Sequence, residues 1–391
     1  MSEDGGQAAA AQPPRKHRLM LHVGLFLATF LTTTATGALH KHGLWTPSLA
    51  NIAPISDGLS YSLPLMLILL CHELGHYFAA RRHGVDASLP FFIPLPPGFG
   101  LGTLGAVIGM RDVATDRKKL IDVGAAGPLA GLIVAIPIIV IGLKLSKVEA
   151  LVGVGFQEGN SLLYAVLKRL VTGEWLPNGQ RDVIIHPMVF AGWAGMLVTM
   201  INLLPIGQLD GGHIASAYFG NRYNRFAQRL HRLLPLGALA VLIWAYFTLQ
   251  REAGSAWNPS VGVRFALEAA GPWMIWYVMV SLMRLLSPGD YHPPVDDTPL
   301  PPSRRGLFWV MVVVFAAVFM PVPNRVTLAG LEAGIRAEEQ MQKQLQEKEK
   351  AQEKAQQKGH KKQQPPSPPE APSPSPAQPG PPAQPAEPGP P

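Results

Sequence analysis

The chain has 391 residues, of which 48% are hydrophobic and only 15% charged, with a mean hydropathy of +0.16. That composition excludes an ordinary soluble domain and points to a polytopic membrane protein. The net charge of +7 does not indicate a nucleic-acid partner, because the basic residues are scattered through short loops between apolar runs, as orientation in a membrane requires.

Residues 1–18 are small, polar and rich in alanine, ending in the basic cluster Arg15-Lys16-His17-Arg18, and are expected to be disordered. The apolar run 19–39 is too long for the core of a signal peptide and is followed by further spans, so it reads as a retained first helix. A second span over about 61–82 carries Pro64 in its first turn, where proline is tolerated, and Gly84 as its C-cap. This span contains Cys71-His72-Glu73-Leu74-Gly75-His76. Cys71 is the single cysteine, so any metal site must draw on histidine and carboxylate. In a helix His72 and His76 lie one turn apart on one face, the spacing with which two imidazoles hold one zinc ion. Glu73 beside them can then act on a zinc-bound water. Ionisable groups in a bilayer cost about 2.5–3.5 kcal/mol each on insertion scales, so three of them in an apolar run are kept for function or for pairing.

Residues 89–110 are apolar but hold four prolines and five glycines, which defeats a helix. Irregular backbone at membrane depth is tolerated only against protein or a water-filled cavity, so this stretch predicts a re-entrant loop or short β-hairpin beside the site. Residues 102–110 would offer a free strand edge to an unwound peptide, with Gly102, Thr103, Leu104 and Gly105 as candidate substrate or oxyanion contacts. The competing reading is a surface loop that caps the bundle.

A third span over about 120–145 opens with Gly124, Gly127, Pro128 and Gly131, where Gly127 and Gly131 read as a face for close helix packing. Residues 146–185 look extramembranous, with Leu162, Leu163, Val166, Leu167 and Leu170 on one face of a short amphipathic helix. The fourth span starts near His186-Pro187 and runs to Asn202-Leu203-Leu204-Pro205-Ile206-Gly207-Gln208-Leu209-Asp210-Gly211-Gly212-His213, broken by Pro205 and Gly207. Asp210 is the carboxylate best placed to be a third ligand, and three protein ligands with one open position are what a catalytic zinc needs. Asn202 either hydrogen-bonds a substrate or oxyanion or makes a helix-to-helix polar contact. His213 reads as a supporting or interfacial residue in preference to a ligand.

Further spans are expected at about 233–249, 267–286 and 307–320, giving an all-α fold of about six to seven transmembrane helices. Lys and Arg are about twice as frequent on one side of this arrangement, which assigns the N-terminus, His76 and Asp210 to the cytoplasmic side. Residues 324–362 form a charged, helix-favouring extension. Residues 363–391, with 14 prolines in 29 positions, are expected to form a disordered tail.

The two motifs, His72-Glu73-Leu74-Gly75-His76 and Asn202 through Gly211, resemble those of the site-2 protease family of intramembrane zinc metalloproteases. The forms Gly-Gln-Leu-Asp-Gly-Gly-His and His-Pro followed by Ala-Gly-Trp-Ala-Gly are most similar to the branch found in plastids and many bacteria. The resemblance covers roughly residues 60–290. It implies a transmembrane metalloprotease domain over 19–323 with its core at about 60–215, in a bacterial inner membrane. It also implies His72, His76 and Asp210 as ligands of one zinc ion per chain, Glu73 as base, and single-span membrane proteins as substrates of regulated intramembrane proteolysis. The 146–185 segment is too short for the PDZ-like insertion that many relatives carry. Two other classes compete. A catalytically silent scaffold is countered by the intact Glu73 and ligand residues, and a metal transporter by the clustering of ionisable residues at one end of two spans.

Overall fold

The computed structural model describes residues 19–42, 53–110, 116–150, 157–178, 181–253, 257–286 and 290–325. The expected disordered N-terminus, the extension beyond residue 325 and the proline-rich tail lie outside these.

Helix α1 (Leu19–His42) is followed by α2 (Ala53–Arg82). α2 begins eight residues before the apolar run that marks it in the sequence, because Asp57 breaks the hydropathy pattern without breaking the helix. Its carboxylate is held by Lys41 Nζ at 2.9 Å and His42 Nε2 at 2.7 Å, both at the end of α1. Pro64 therefore lies in the helix interior and not in its first turn, where it forgoes one main-chain bond. Gly84, at φ 69°, ends the helix as expected.

Residues 89–110 form the hairpin: β1 (Phe91–Pro94) pairs antiparallel with β2 (Thr103–Val107), matching Phe91 with Val107 and Phe92 with Ala106. Helices α1 and α2 satisfy carbonyls that hydrocarbon could not. Thr32 Oγ1 donates to Gly102 O at 2.8 Å, Tyr61 OH to Leu101 O at 3.0 Å, and His22 Nδ1 to Pro90 O at 3.0 Å. Gly102 has φ 77°, and a Cβ there would strike Thr36 and the α1 backbone.

α3 (Arg117–Lys144), capped by Asp116, packs against α2. Beyond it lies a cap of short strands and one short helix. Strand β3 (Lys147–Ala150) pairs with β5 (Arg181–Ile184), and β4 (Gln157–Glu158) with β6 (Asn324–Arg325). These strands of two to four residues are too short to carry a period-2 signal. Between them sits α4 (Leu162–Thr172), the amphipathic helix read from the leucine pattern, with Ser161 as N-cap. The cap encloses Lys168 completely, with Nζ 2.9 Å from Glu158 Oε1 and 3.6 Å from Asp182 Oδ1. Tyr164 OH also donates to Glu158, at 2.9 Å. Burial, with Glu158 adjacent, pushes the Tyr164 hydroxyl well above its ordinary range. Burial likewise raises the Asp182 carboxyl, against the opposing pull of Lys168.

α5 (Pro187–Asn202) starts on the N-cap His186 and buries Trp193, Met196 and Met200 against Leu65 of α2 and Ile139 of α3. A short loop leads to α6 (Asp210–Phe219), a 3-10 turn (Gly220–Arg222) and α7 (Tyr223–Ala253), which packs against α8 (Pro259–Leu286); α9 (Pro302–Val318) follows. Among the described residues five helical runs are long and apolar enough to cross a membrane: α1, α2, α3, Asp210–Arg251 and Pro259–Leu285. The protein is an all-α polytopic membrane protein with small strand pairs.

Candidate active site

α2 and α3 run antiparallel, and two histidines four residues apart on one face two glycines four residues apart on the other. A Cβ at Gly127 would overlap the His76 ring, and one at Gly131 would press on the ring of His72. The small-residue face of α3 thus makes room for the histidines as well as for close packing. Val123 O, one turn before Gly127, lies 2.8 Å from His76 Nδ1. A carbonyl only accepts, so Nδ1 carries the proton and Nε2 presents a free lone pair.

The carboxylate of the cluster arrives from the other side. The chain leaves α5 at Asn202, turns through Gly207 at φ 67°, and re-enters a helix at Asp210. A carboxylate in the first turn of a helix faces unpaired amides and the positive end of the dipole. Asp210 Oδ2 stands 3.2 Å from both His72 Nε2 and His76 Nε2, and the two ring nitrogens are 3.1 Å apart. Tetrahedral zinc with bonds of about 2.0–2.1 Å separates its ligand atoms by about 3.3 Å, so this triangle fits that ion with little adjustment. Among the described residues no other set of His, Cys, Asp and Glu side chains converges in this way.

The triangle opens on a cavity of about 210 Å³. Glu73, 5% exposed, lines it beside the ligands, as do Asn202, His213, Gln208, Met283 of α8 and the stretch Ala106-Val107-Ile108. Asn202 Nδ2 lies 3.2 Å from His72 Nε2. The hairpin reaches the cavity, but through its later residues. Gly102 faces α1, Thr103 is buried with its hydroxyl on Ile93 O at 2.9 Å, and neither Leu104, 67% exposed, nor Gly105 lines the cavity. The edge contact shifts along the strand because α1 holds the tip of the hairpin.

Residues 60–245 match the sequence model of peptidase family M50. The chain is also similar to curated relatives. The probable zinc metalloprotease EGY1, chloroplastic, of Oryza sativa subsp. japonica is 36% identical over 231 residues, covering 56% of this chain and 38% of that protein. The EGY2 protein of Arabidopsis thaliana, of the same description, is 34% identical over 197 residues, 48% of this chain and 34% of its own. Arabidopsis thaliana EGY1 is 34% identical over 215 residues, 52% and 38%. The matched segment is under two-fifths of the length of each relative. No solved structure matches this chain.

Two contributors to the site escaped the motif reading. The backing glycines of α3 were legible only as a packing stripe, although their four-residue spacing mirrors that of the histidines. Met283 had no signal at all, since one methionine in an apolar helix is ordinary core.

Proposed function

We propose that the protein is a zinc-dependent intramembrane endopeptidase, hydrolysing peptide bonds in or near the transmembrane segments of membrane-protein substrates. The observation that carries this reading is the buried triangle of His72, His76 and Asp210, inside helices apolar enough to cross a membrane and beside a carboxylate on the same cavity. One zinc ion held by those three residues supplies Lewis acidity, polarising the scissile carbonyl and acidifying water.

Glu73 takes the proton of the attacking water and returns it to the leaving amine. Asn202 offers its amide to the carbonyl oxygen as negative charge develops there. The outer edge of the hairpin, from Ala106 of β2 to Ile108 just past its end, pairs with an unwound substrate segment and holds it extended across the ligands. Single-span membrane proteins cut in regulated intramembrane proteolysis are the substrate class. The relatives bear chloroplastic names, so a plastid membrane replaces the bacterial inner membrane as the better-supported setting, with the lysine- and arginine-rich face toward the stroma or cytoplasm.

Purified protein and its Glu73→Gln variant are compared on single-span reporter substrates, with bound metal quantified in both. Cleavage lost in the variant while about one zinc per chain remains is the expected result. Equal cleavage by both proteins removes Glu73 from the mechanism, and absence of metal from both removes the enzyme reading.

A further inference from the structure

Between α8 and α9, residues 290–301 fold back onto α6 and α7. Asn221 Nδ2 donates to Asp297 at 2.9 Å, and Arg117 donates to Thr298 O at 3.1 Å. Within this segment His292 is 1% exposed and clamped by its own backbone. Asn224 Oδ1 accepts from His292 N at 3.0 Å, and Asn224 Nδ2 donates to His292 O at 3.1 Å. Its imidazole Nδ1 lies 2.8 Å from Pro293 O and 3.1 Å from Ser216 Oγ; its Nε2 lies 2.9 Å from His213 Nδ1.

These contacts determine where the protons sit. Pro293 O only accepts, so His292 carries its proton on Nδ1. Burial holds His292 below the ordinary histidine range, so the ring is neutral and its Nε2 is an acceptor. His213 must then donate from Nδ1, which leaves a bare lone pair on its own Nε2. His213 lines the same cavity as Glu73 and the ligands, and among the described residues no group is hydrogen-bonded to its Nε2.

We propose that His213 is a substrate-positioning residue, accepting a hydrogen bond from a backbone N–H of the bound peptide through Nε2, and that His292 fixes the tautomer that makes this possible. The inference rests on the peptidase reading of the cavity. It adds a contact opposite in sense to that of Asn202: one group takes an N–H, the other gives to a carbonyl. A peptide held at both is fixed in direction as well as in place.

The test uses the full-length, zinc-loaded protein carrying Glu73→Gln, so that a fluorescent single-span reporter binds without being cut. Adding His213→Leu weakens reporter binding about three- to tenfold, the worth of one hydrogen bond, with zinc content unchanged. Adding His292→Leu weakens it in the same direction, and His292→Gln, which keeps an acceptor for His213 Nδ1, restores it. The pair His213→Leu and His292→Leu is no weaker than His213→Leu alone. Nitrogen-15 NMR of the histidine-labelled protein in bilayers gives a readout independent of any substrate: His213 is protonated at Nδ1 only, and becomes a mixture of tautomers in His292→Leu. A proton on His213 Nε2, additive effects of the two leucine variants, or loss of zinc in His213→Leu overturns the proposal. Binding that depends on His213 in a protein whose parent form cleaves nothing would sink the peptidase reading and leave this contact standing.

Discussion

Two histidine rings, one carboxylate and one glutamate do the chemistry proposed here, and their neighbours decide whether they can. Gly127 is the strictest of these neighbours, because any side chain there meets the His76 ring. Gly127→Ala should lower zinc affinity about 10–100-fold, the usual cost of disturbing the groups that hold a ligand. Gly24→Ala on α1, with open space around it, should leave metal content unchanged; metal analysis after dialysis against a weak chelator separates the two. For Glu73→Gln the expected signature is different: full zinc content and a loss of cleavage of about 10²-fold or more, as removal of a general base produces. A variant that lost both metal and cleavage would show Glu73 to be structural.

At the scale of elements, the β1–β2 hairpin is held from outside itself. Thr32 and Tyr61 donate to the carbonyls of Gly102 and Leu101, and α1 carries most of the polar side chains that make this possible. Thr32→Val together with Tyr61→Phe leaves Leu101 O unsatisfied, at about 1–3 kcal/mol, and strips Gly102 O to its single remaining donor, Leu95 N at 3.1 Å. Faster amide exchange across 91–107 and a several-fold drop in cleavage, with zinc content intact, are the expected outcomes. Unchanged exchange would mean that strand pairing alone holds the hairpin. The break between α5 and α6 works in the opposite direction, ending one helix so that the amides of the next can face Asp210.

At the scale of the whole molecule, the cap ties β6, which follows α9, to β4 between α3 and α4. Trp193 Nε1, deep in α5, donates to Gly159 O at 2.9 Å, so the cap also closes over the core. Its own interior is ionic. Lys168→Met leaves Glu158 and Asp182 buried without a cation, which should cost about 3–5 kcal/mol and appear as a lower Tm in detergent. The pH dependence has a definite sign. Burial raises the Asp182 carboxyl, so between the ordinary carboxylate range and that raised value the folded chain keeps a proton that the unfolded chain has lost. Stability from this group therefore falls as pH rises through that interval. Asp182→Asn should flatten the fall, measured as Tm against pH; an unchanged slope would assign it to other groups.

The chain's class, its catalytic and ligand candidates and the irregular hairpin were all legible in one dimension. Helical spacing makes His72 and His76 neighbours wherever the helix goes, and proline with glycine forbids a helix over 89–110 in any context. Hydropathy carried the long spans but misplaced the start of α2, because Asp57 owes its tolerance to Lys41 and His42 at the end of another helix. Only the tertiary structure decided what meets across helices. The closure of Asp210 on the histidines, the pairing of the α3 glycines with their rings, the part of β2 that reaches the cavity and the seat of His292 on His213 join residues as far as 138 positions apart. Local propensity and periodicity act over a turn or a strand. Contacts at that separation are chosen by which faces pack, and no single segment holds that information.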